Sequence, residues 1–324
     1  MAANRSSTSE KDRGRDSTAP SEIPVRGLRD VFWRVVEQAD RDRIALVSAG
    51  VSYYLLLALF PSLTALVSLY GFFADPSTIS GHIESLRRIL PPGSSEMIQE
   101  QLAALTRQGS PSLGVGFATG LAIGIWSARN GIMALFDAMN VAYNEREKRG
   151  LLELNLLVFA FTLGLFVLLG VITAGLAALP AVFAFVIPDS WLEPVLMILR
   201  WPILVLLVGF SISCLYRYGP SREPAKLRWL SWGAVISTAA WLLASLAFSY
   251  YLQNFGNYSA TYGALGSVAG FMVWSWMCAL IFILGAEING ELEHQTCHDT
   301  TTGEPRPMGE RGAFVADTVG RAAD

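Results

Sequence analysis

The sequence predicts an all-α membrane protein with six transmembrane helices and with both termini in the cytoplasm. Its 324 residues are 52% hydrophobic and only 16% charged, whereas a soluble domain carries about 25% charged residues. The charged residues are concentrated towards the two ends of the chain, and long apolar stretches lie between them. Each membrane span should be a helix, because a segment in lipid must satisfy its own backbone hydrogen bonds.

The N-terminal segment is polar and basic. The first 43 residues contain nine Lys or Arg and no apolar h-region, which excludes a secretory signal peptide. Residues 1–26 are too polar to bury a core and are predicted to form a disordered cytoplasmic tail. Residues 27–43 predict an amphipathic helix at the membrane interface, with an ordinary docked helix as the alternative. Its apolar face consists of Leu28, Val31, Phe32, Val35 and Ala39.

Six apolar segments are long enough to cross a hydrocarbon core of ~30 Å, which takes ~20 residues. They form a predicted membrane domain over residues 44–293, with spans at about 45–73, 113–136, 152–178, 195–216, 229–251 and 263–288. Residues 75–112 are predicted to form a loop on the outer side. Residues 294–324 are again polar, and we expect a second disordered cytoplasmic tail there.

The orientation follows from the Lys and Arg residues of the loops. With the N-terminus inside, the cytoplasmic side receives the basic N-terminal segment and the loops "NEREKRG" and "RYGPSREPAKLR". The opposite side receives only Arg87, Arg88 and Arg107, and the other two outer loops contain no Lys or Arg. This asymmetry predicts that the N-terminus and the C-terminus both lie inside.

Glycines at four-residue spacing are predicted to pack the helices together. The second span contains Gly116, Gly120 and Gly124, and the sixth contains Gly266 and Gly270. Small residues at this spacing let two helix backbones approach closely, which matters because lipid gives helices no hydrophobic reason to associate. Packing within one chain is the default interpretation, and a homo-oligomer interface is the alternative.

Polar side chains enter the part of the bundle that is nearest to the cytoplasm. An ionised side chain at mid-membrane costs ~2.5–3.5 kcal/mol on insertion scales, so it normally pairs or faces a wet cavity. The residues predicted at this depth are Arg129, Asn130 and Asp137 on the second span, Tyr53 and Tyr54 on the first, and Glu287 and Asn289 on the sixth.

Two interpretations of this polar sector remain open. In the first, Arg129 and its neighbours line a polar cavity that opens to the cytoplasm and holds an anionic head group. In the second, Arg129 forms a buried ion pair with Asp137 or Glu287, which holds the second span against the sixth.

The chain contains no recognisable catalytic constellation, so we do not predict an enzyme. It has no Ser-His-Asp set, no paired-carboxylate motif and no phosphate-binding glycine loop. The run "ELEHQTCHD" offers several potential ligands, but a short run beside a polar tail is not sufficient for a metal site, and we predict no metal and no cofactor. The net charge of −3 and the lack of a long basic block argue against nucleic acid as a partner.

Three stretches resemble the YihY/BrkB family of bacterial inner-membrane proteins. They are "AGVSYYLLLALFPSLTALVSLYGFF", "NGIMALFDAMNVAYNERE" and "ATYGALGSVAGFMVWSWMCALIFILGAEINGELEH". The resemblance covers about residues 27–294 and implies a six-helix protein of the inner membrane, without catalytic residues that could be carried over. Members are called virulence factors, and many carry a ribonuclease BN label that the residues of this chain do not support.

The function that the sequence favours is the handling or transport of an amphipathic envelope substrate such as a lipid, with membrane lipids as partners. The alternative is a non-transporting scaffold whose basic cytoplasmic loops bind envelope proteins. A membrane-associated enzyme comes third. No Walker A sequence is present, so this chain offers no recognisable site for ATP.

Overall fold

The computed structural model describes residues 12–73, 110–173, 192–255 and 264–322. Within these ranges every regular element is a helix, and one isolated β-bridge joins Ala225 to Thr301. The all-α fold class predicted from the sequence is confirmed. The outer loop predicted at 75–112 lies outside the described residues, apart from the last three, which begin a helix.

The described chain contains a short 3-10 turn at Pro20–Glu22 and then eight helices. They are α1 (Val25–Arg41), α2 (Ile44–Phe73), α3 (Ser110–Ala142), α4 (Leu151–Thr173), α5 (Leu192–Tyr218), α6 (Leu227–Phe255), α7 (Ala264–Glu293) and α8 (Phe314–Asp317). Helix α1 coincides with the predicted amphipathic helix, and α2 to α7 coincide with the six predicted spans. Helices α3 and α7 extend several residues beyond the predicted spans, because polar residues continue both helices past the apolar runs.

Five helices in the described residues are long and apolar enough to cross a membrane. The qualifying segments are Ile44–Pro61, Leu151–Ile172, Ile198–Tyr218, Leu227–Leu252 and Val268–Glu293. Large apolar side chains on their surfaces are exposed, including Leu163, Leu206 and Leu246, as expected where a helix faces lipid. The crossing of the membrane by α3 and the orientation of the bundle stay predictions.

The chain divides into two compact units. The first unit comprises Met1–Val47, Leu135–Leu242 and Leu280–Asp324, and the second comprises Ser48–Ala134 and Leu243–Ala279. The apolar core of the first unit contains Ile23, Val31, Val35, Trp229 and Leu292. Val31 and Val35 therefore face the core, whereas Leu28 and Phe32, predicted for the same face of α1, are 44% and 60% exposed.

The two terminal segments are packed in the first unit where the structure describes them, which differs from the disorder predicted for residues 1–26 and 294–324. The Gln295 side chain donates a hydrogen bond from Nε2 to the Arg13 carbonyl at 2.7 Å. Arg13 in turn pairs with Asp30 of α1 at 2.7 Å. Polar contacts of this kind hold the segments, and an argument from low apolar content does not detect them.

Arg311 organises the C-terminal segment. Its side chain is buried, and its guanidinium donates to the carbonyls of Cys297 at 2.9 Å, His298 at 3.2 Å and Ala316 at 2.6 Å. One planar group with five donors can satisfy several carbonyls at once. A single arginine thus joins Cys297 and His298 to Ala316, near the end of the segment.

Two tightly packed glycines of the first unit lie between α6 and α7. A Cβ atom on Gly233 would overlap the carbonyl oxygen of Gly285, and one on Gly285 would overlap the Ser237 hydroxyl. The two helix backbones approach so closely here that only glycine fits at either position.

The glycines predicted to pack the helices lie in α3 and α7. Gly116, Gly120 and Gly124 lie in α3, and Gly120 and Gly124 are buried. On α7, Gly266 is buried, but a Cβ atom on Gly270 would meet no atom within 4 Å. Among the described residues, Gly270 is therefore not a close-packing position.

Candidate functional site

The last two turns of α7 carry four polar residues that are buried on both sides of the helix. Glu287 and Glu291 are four residues apart and share one face, while Asn289 and Glu293 share the opposite face. Their exposed fractions are 1% for Glu287, 6% for Glu291, and 0% for Asn289 and Glu293. Because burial of an unpaired charge is costly, the partners of these side chains determine what this end of the helix does.

Asn289 joins α7 to α6. Its Oδ1 accepts a hydrogen bond from the Gly233 backbone N–H at 2.8 Å, and its Nδ2 donates to the Leu230 carbonyl at 3.2 Å. Both ends of the side-chain amide are used in one helix–helix contact. This geometry assigns Asn289 to helix packing rather than to the lining of an open cavity.

Glu293 forms a buried ion pair with Arg222 of the loop between α5 and α6. The Arg222 guanidinium donates to both carboxylate oxygens, at 2.7 Å and 3.2 Å, and the Thr300 hydroxyl donates to one of them at 2.8 Å. Arg222 also lies over the ring of Tyr143, 5.0 Å from its centroid. The pair therefore connects a loop, the end of α7 and the C-terminal segment at one buried point.

Glu291 pairs with Arg34 of α1. The Arg34 Nε donates to the Glu291 carboxylate, and Nη2 donates to Gln295 Oε1 at 2.8 Å. Nη1 donates to the Arg321 carbonyl at 2.9 Å. The side chains of Arg34 and Glu291 are 7% and 8% exposed, so this pair fixes α1 against the end of α7.

A pocket of about 270 Å³ lies beside the pair of Arg34 and Glu291. Its walls contain three guanidinium groups and two carboxylates, which leaves one surplus positive charge when the histidine is neutral. Arg41 and Arg321 are 62% and 69% exposed, and both pair with Glu37. The lining residues are Arg34, Glu37, Gln38, Arg41, Asn144, Glu291, His294, Phe314 and Arg321.

Helix α1 exposes several large apolar side chains and buries three polar ones beside Val31 and Val35. Asp30, Arg34 and Gln38 are buried, although they are polar or charged. Five large apolar side chains on the exposed side of one helix, with Arg29 among them, suit a helix whose outer side lies in the head-group region of a membrane. The exposed apolar side chains, here called the apolar stripe, are Val25, Leu28, Phe32, Trp33 and Val36.

The turn between α3 and α4 is held by Asn140 and Glu147. Asn140 accepts a hydrogen bond from the Ser221 backbone N–H at 2.7 Å and donates to Glu147 at 3.1 Å. The Arg149 guanidinium donates to both oxygens of Glu147, and these hydrogen bonds lower the pKa of Glu147 to about 2. Asn140 belongs to the Asn-x-Ala-Tyr pattern of the family resemblance, so this part of the pattern has a structural role.

Arg129 and Asn130 lie in the second unit and are half-buried. Arg129 Nη1 donates to Asn130 Oδ1 at 3.2 Å, and the guanidinium lies 5.6 Å from the centroid of the Trp126 ring. Tyr53 and Tyr54 belong to the same unit, where both are exposed and their rings meet edge to face.

The polar sector predicted from the sequence is divided between the two units. Asp137, Glu287 and Asn289 belong to the first unit, where Asp137 is exposed and Glu287 is buried. The carboxyl group of Glu287 interacts with that of Asp42. Whether Arg129 pairs with Asp137 or Glu287 stays a prediction.

Sequence reasoning missed three residues of the first unit that matter most for this geometry. They are Arg34, Asp42 and Arg222, and each lies in a charged segment outside the apolar runs. A basic residue in such a segment counts only as an orientation signal in sequence analysis. The sequence offered one indication of these partners. The last span continues into a polar stretch that contains Glu291 and Glu293, and buried carboxylates require positively charged or hydrogen-bonding partners.

The described residues contain no group of three His, Cys, Asp or Glu side chains that could hold a metal ion. Glu291 and His294 come within 3.6 Å of each other, but Glu291 bonds to Arg34, and the His294 Nε2 shares a hydrogen bond with the Thr318 hydroxyl at 2.9 Å.

A model of the virulence factor BrkB family matches residues 35–309, from the middle of α1 to the C-terminal segment. The chain belongs to this family. The match and the span-length helices together show an integral membrane protein. No solved structure matches the chain significantly.

Several relatives in the same family have curated names. A Bacillus subtilis protein named ribonuclease-like, YfkH, is 31% identical over 82% of this chain and 94% of its own length. A UPF0761 membrane protein of Vibrio campbellii is 26% identical over 83% of this chain and 85% of its own length. A UPF0761 membrane protein of Legionella pneumophila is 26% identical over 80% of this chain, which spans only 61% of that relative.

Proposed function

We propose that this BrkB-family protein binds the head group of an anionic lipid in the pocket and moves the lipid between the leaflets of the bacterial inner membrane. The observation that carries the proposal is the placement of the pocket on α1. Arg34 and Arg41 of α1 line the pocket, and the same helix carries the apolar stripe. One helix thus presents a cationic wall on one side and a membrane-binding surface on the other.

The depth of the pocket in the membrane follows from the geometry of α1. An interfacial helix buries its apolar side ~5–10 Å into the boundary between head groups and acyl chains. The helix itself is ~10 Å across, and successive residues turn by ~100°, so Arg34 lies opposite Phe32 on the helix circumference. With the apolar stripe in the membrane, the wall that contains Arg34 lies at the level of the lipid phosphates.

The charges of the pocket suit an anion that competes with Glu37. Arg41 and Arg321 each donate to the carboxylate of Glu37, and both guanidinium groups are largely exposed. A phosphate that enters the pocket can take over these donors, since guanidinium binds phosphate and carboxylate with the same fork geometry. Arg34 is already satisfied by Glu291 and Gln295, so it contributes charge rather than free donors.

The decisive measurement is exchange of fluorescent lipids between leaflets of proteoliposomes. The protein should accelerate exchange of phosphatidylglycerol more than that of phosphatidylcholine. Arg41→Gln and Arg321→Gln should each lower the acceleration about tenfold, because a hydrogen bond to a charged group contributes ~1.5 kcal/mol or more. Glu37→Gln should tighten binding of phosphatidylglycerol, since it removes the carboxylate that competes for both arginines.

The matched control is Arg306→Gln, which changes an exposed arginine of the C-terminal segment outside the pocket. This variant should exchange lipids at the parent rate. If the parent protein accelerates neither lipid, transport is excluded. Recovery of a protein bound to the cytoplasmic loops would then favour the scaffold function.

The proposal requires the pocket to face the cytoplasm, as the loop charges predict. Cys297 of the C-terminal segment is exposed and free, which makes it a reporter of orientation. In a background with Cys214→Ser and Cys278→Ser, a membrane-impermeant maleimide should leave Cys297 unmodified in intact spheroplasts and should label it after lysis. Labelling in intact spheroplasts would reverse the orientation and place the pocket outside.

A further inference from the structure

Two carboxyl groups meet in the first unit with no donor between them. Glu287 of α7 is 1% exposed, and neither of its oxygens has a hydrogen-bond partner among the described residues. Asp42 directly follows α1, and its Oδ2 is also buried with no hydrogen-bond partner in the part of the chain that the structure describes. The two side chains lie close enough for each carboxyl to act on the other.

The charged groups around this pair do not neutralise Glu287. The groups that act on it are Asp42 from the end of α1 and Glu291 from the next turn of α7, and both are acidic. The nearby cations have other partners. Arg34 pairs with Glu291, which also faces His294 at 3.6 Å, and Arg41 acts on Asp42 while it bonds to Glu37.

A proton is the ligand that such an arrangement accepts. Two carboxylates that share a buried site cannot both stay ionised, because like charges repel and burial disfavours the charged form. A proton on either carboxyl supplies the missing hydrogen-bond donor. Burial also raises the pKa of the Asp42 carboxyl, and the nearby Glu287 side chain and the charge of Arg41 offset part of this rise.

We propose that Asp42 and Glu287 form a proton-binding site, and that the proton they share is the ion that drives lipid movement by this protein. The coupling role rests on the proposed function, whereas the binding of the proton does not. The pair holds one proton between two carboxyl groups. Release of that proton to water leaves two carboxylates and one more negative charge in the site.

The neighbourhood of the pair connects it to the head-group pocket. Asp42 follows Arg41 in the chain, and Glu287 lies one turn from Glu291 on α7, so each carboxyl adjoins a residue that lines the pocket. When the proton leaves, the Asp42 carboxylate attracts Arg41 away from the pocket. Loss of this cation weakens the hold on the anionic head group, so proton release and lipid release occur together.

Infrared difference spectroscopy of the purified protein tests proton binding without any transport. At pH 7 the parent protein should show the band of a protonated carboxyl group, and Glu287→Gln should lose it. Glu304→Gln changes an exposed carboxyl and should leave the band intact. Asp42→Asn should retain a band at a shifted frequency, because Glu287 then shares no proton with a second carboxyl. The absence of this band in the parent protein would overturn the proton site.

Leaflet distribution under a pH gradient tests the coupling. A gradient of one pH unit can shift the steady-state ratio of phosphatidylglycerol between leaflets by up to about tenfold when one proton moves with each lipid. The parent protein and Glu304→Gln should show this asymmetry, and Glu287→Gln should equalise the leaflets while it elutes as a folded monodisperse protein. An asymmetry that persists in Glu287→Gln, or that follows a sodium gradient instead, would overturn proton coupling. If no variant moves lipid at all, the proposed function fails together with the coupling, and the infrared result still decides whether the pair holds a proton.

Discussion

Replacement of Gly285 by alanine should lower the stability of the protein by about 2–4 kcal/mol, from an overpacked helix contact and a weakened hydrogen bond. A Cβ atom at this position would overlap the Ser237 hydroxyl and the Tyr216 hydroxyl. Neither group can move without loss, since they share a hydrogen bond of 2.7 Å and Tyr216 also donates to the Phe282 carbonyl at 2.9 Å. The carbonyl oxygen of Gly233 on the facing helix would lie 3.1 Å from the same Cβ atom, which adds a further close contact.

The same helix supplies the matched control. Gly270→Ala places a methyl group where no atom lies within 4 Å, so it should be neutral or slightly stabilising, as expected for alanine in a helix. The midpoint temperature of unfolding in detergent, measured for both variants, gives the comparison. If Gly285→Ala melts no lower than Gly270→Ala, then α6 and α7 do not pack through Gly233 and Gly285.

These two glycines show where sequence reasoning about helix packing reaches its limit. Neither Gly233 nor Gly285 has another glycine four residues away in its own helix. The two glycines face each other from different helices. A repeat within one segment is visible in the sequence, but a pair formed across helices is not. Gly270 matched the repeat and has open space around it, so spacing alone does not establish a contact.

The helices themselves could be predicted because long apolar runs in a membrane have few alternatives. The predicted span at 45–73 differs from the observed Ile44–Phe73 by one residue at its start. The predicted end of the last span at 288 falls five residues short of Glu293, because Glu291 and Glu293 stay helical and buried through their arginine partners. Apolar run length thus predicts where a helix lies, but it does not reveal polar turns that are stabilised by distant segments.

The candidate site was only partly predictable for the same reason. Glu287 was identified from its position in an apolar run, where a carboxylate is unexpected. Asp42 and Arg41 were not identified, because they lie in a charged segment where acidic and basic residues are common. The pocket needs α1, the end of α7 and the C-terminal segment together, and no local pattern in the sequence brings these three segments to one place.

Replacement of Arg222 by leucine should destabilise the protein by about 3–5 kcal/mol, the usual cost of leaving one partner of a buried ion pair uncompensated. Glu293 is 0% exposed and receives two hydrogen bonds from the guanidinium, so the variant strands a carboxylate with only the Thr300 hydroxyl as donor. Arg222→Lys should fall between the parent and the leucine variant, since a single ammonium cannot supply the same fork of donors.

Two further variants separate the buried charge from the loss of a large side chain. Combining Arg222→Leu with Glu293→Leu should restore much of the lost stability, because replacing both partners by apolar groups removes the unpaired carboxylate. Arg306→Leu breaks an exposed pair with Glu223 at 3.9 Å and should cost ~1 kcal/mol or less. Unfolding of the parent, Arg222→Leu, Glu293→Leu and the double variant in the same detergent gives the coupling energy of the pair. If Arg222→Leu lowers the free energy of unfolding no more than Arg306→Leu does, the ion pair of Arg222 does not stabilise the fold. Other contacts would then hold the loop between α5 and α6 to α7.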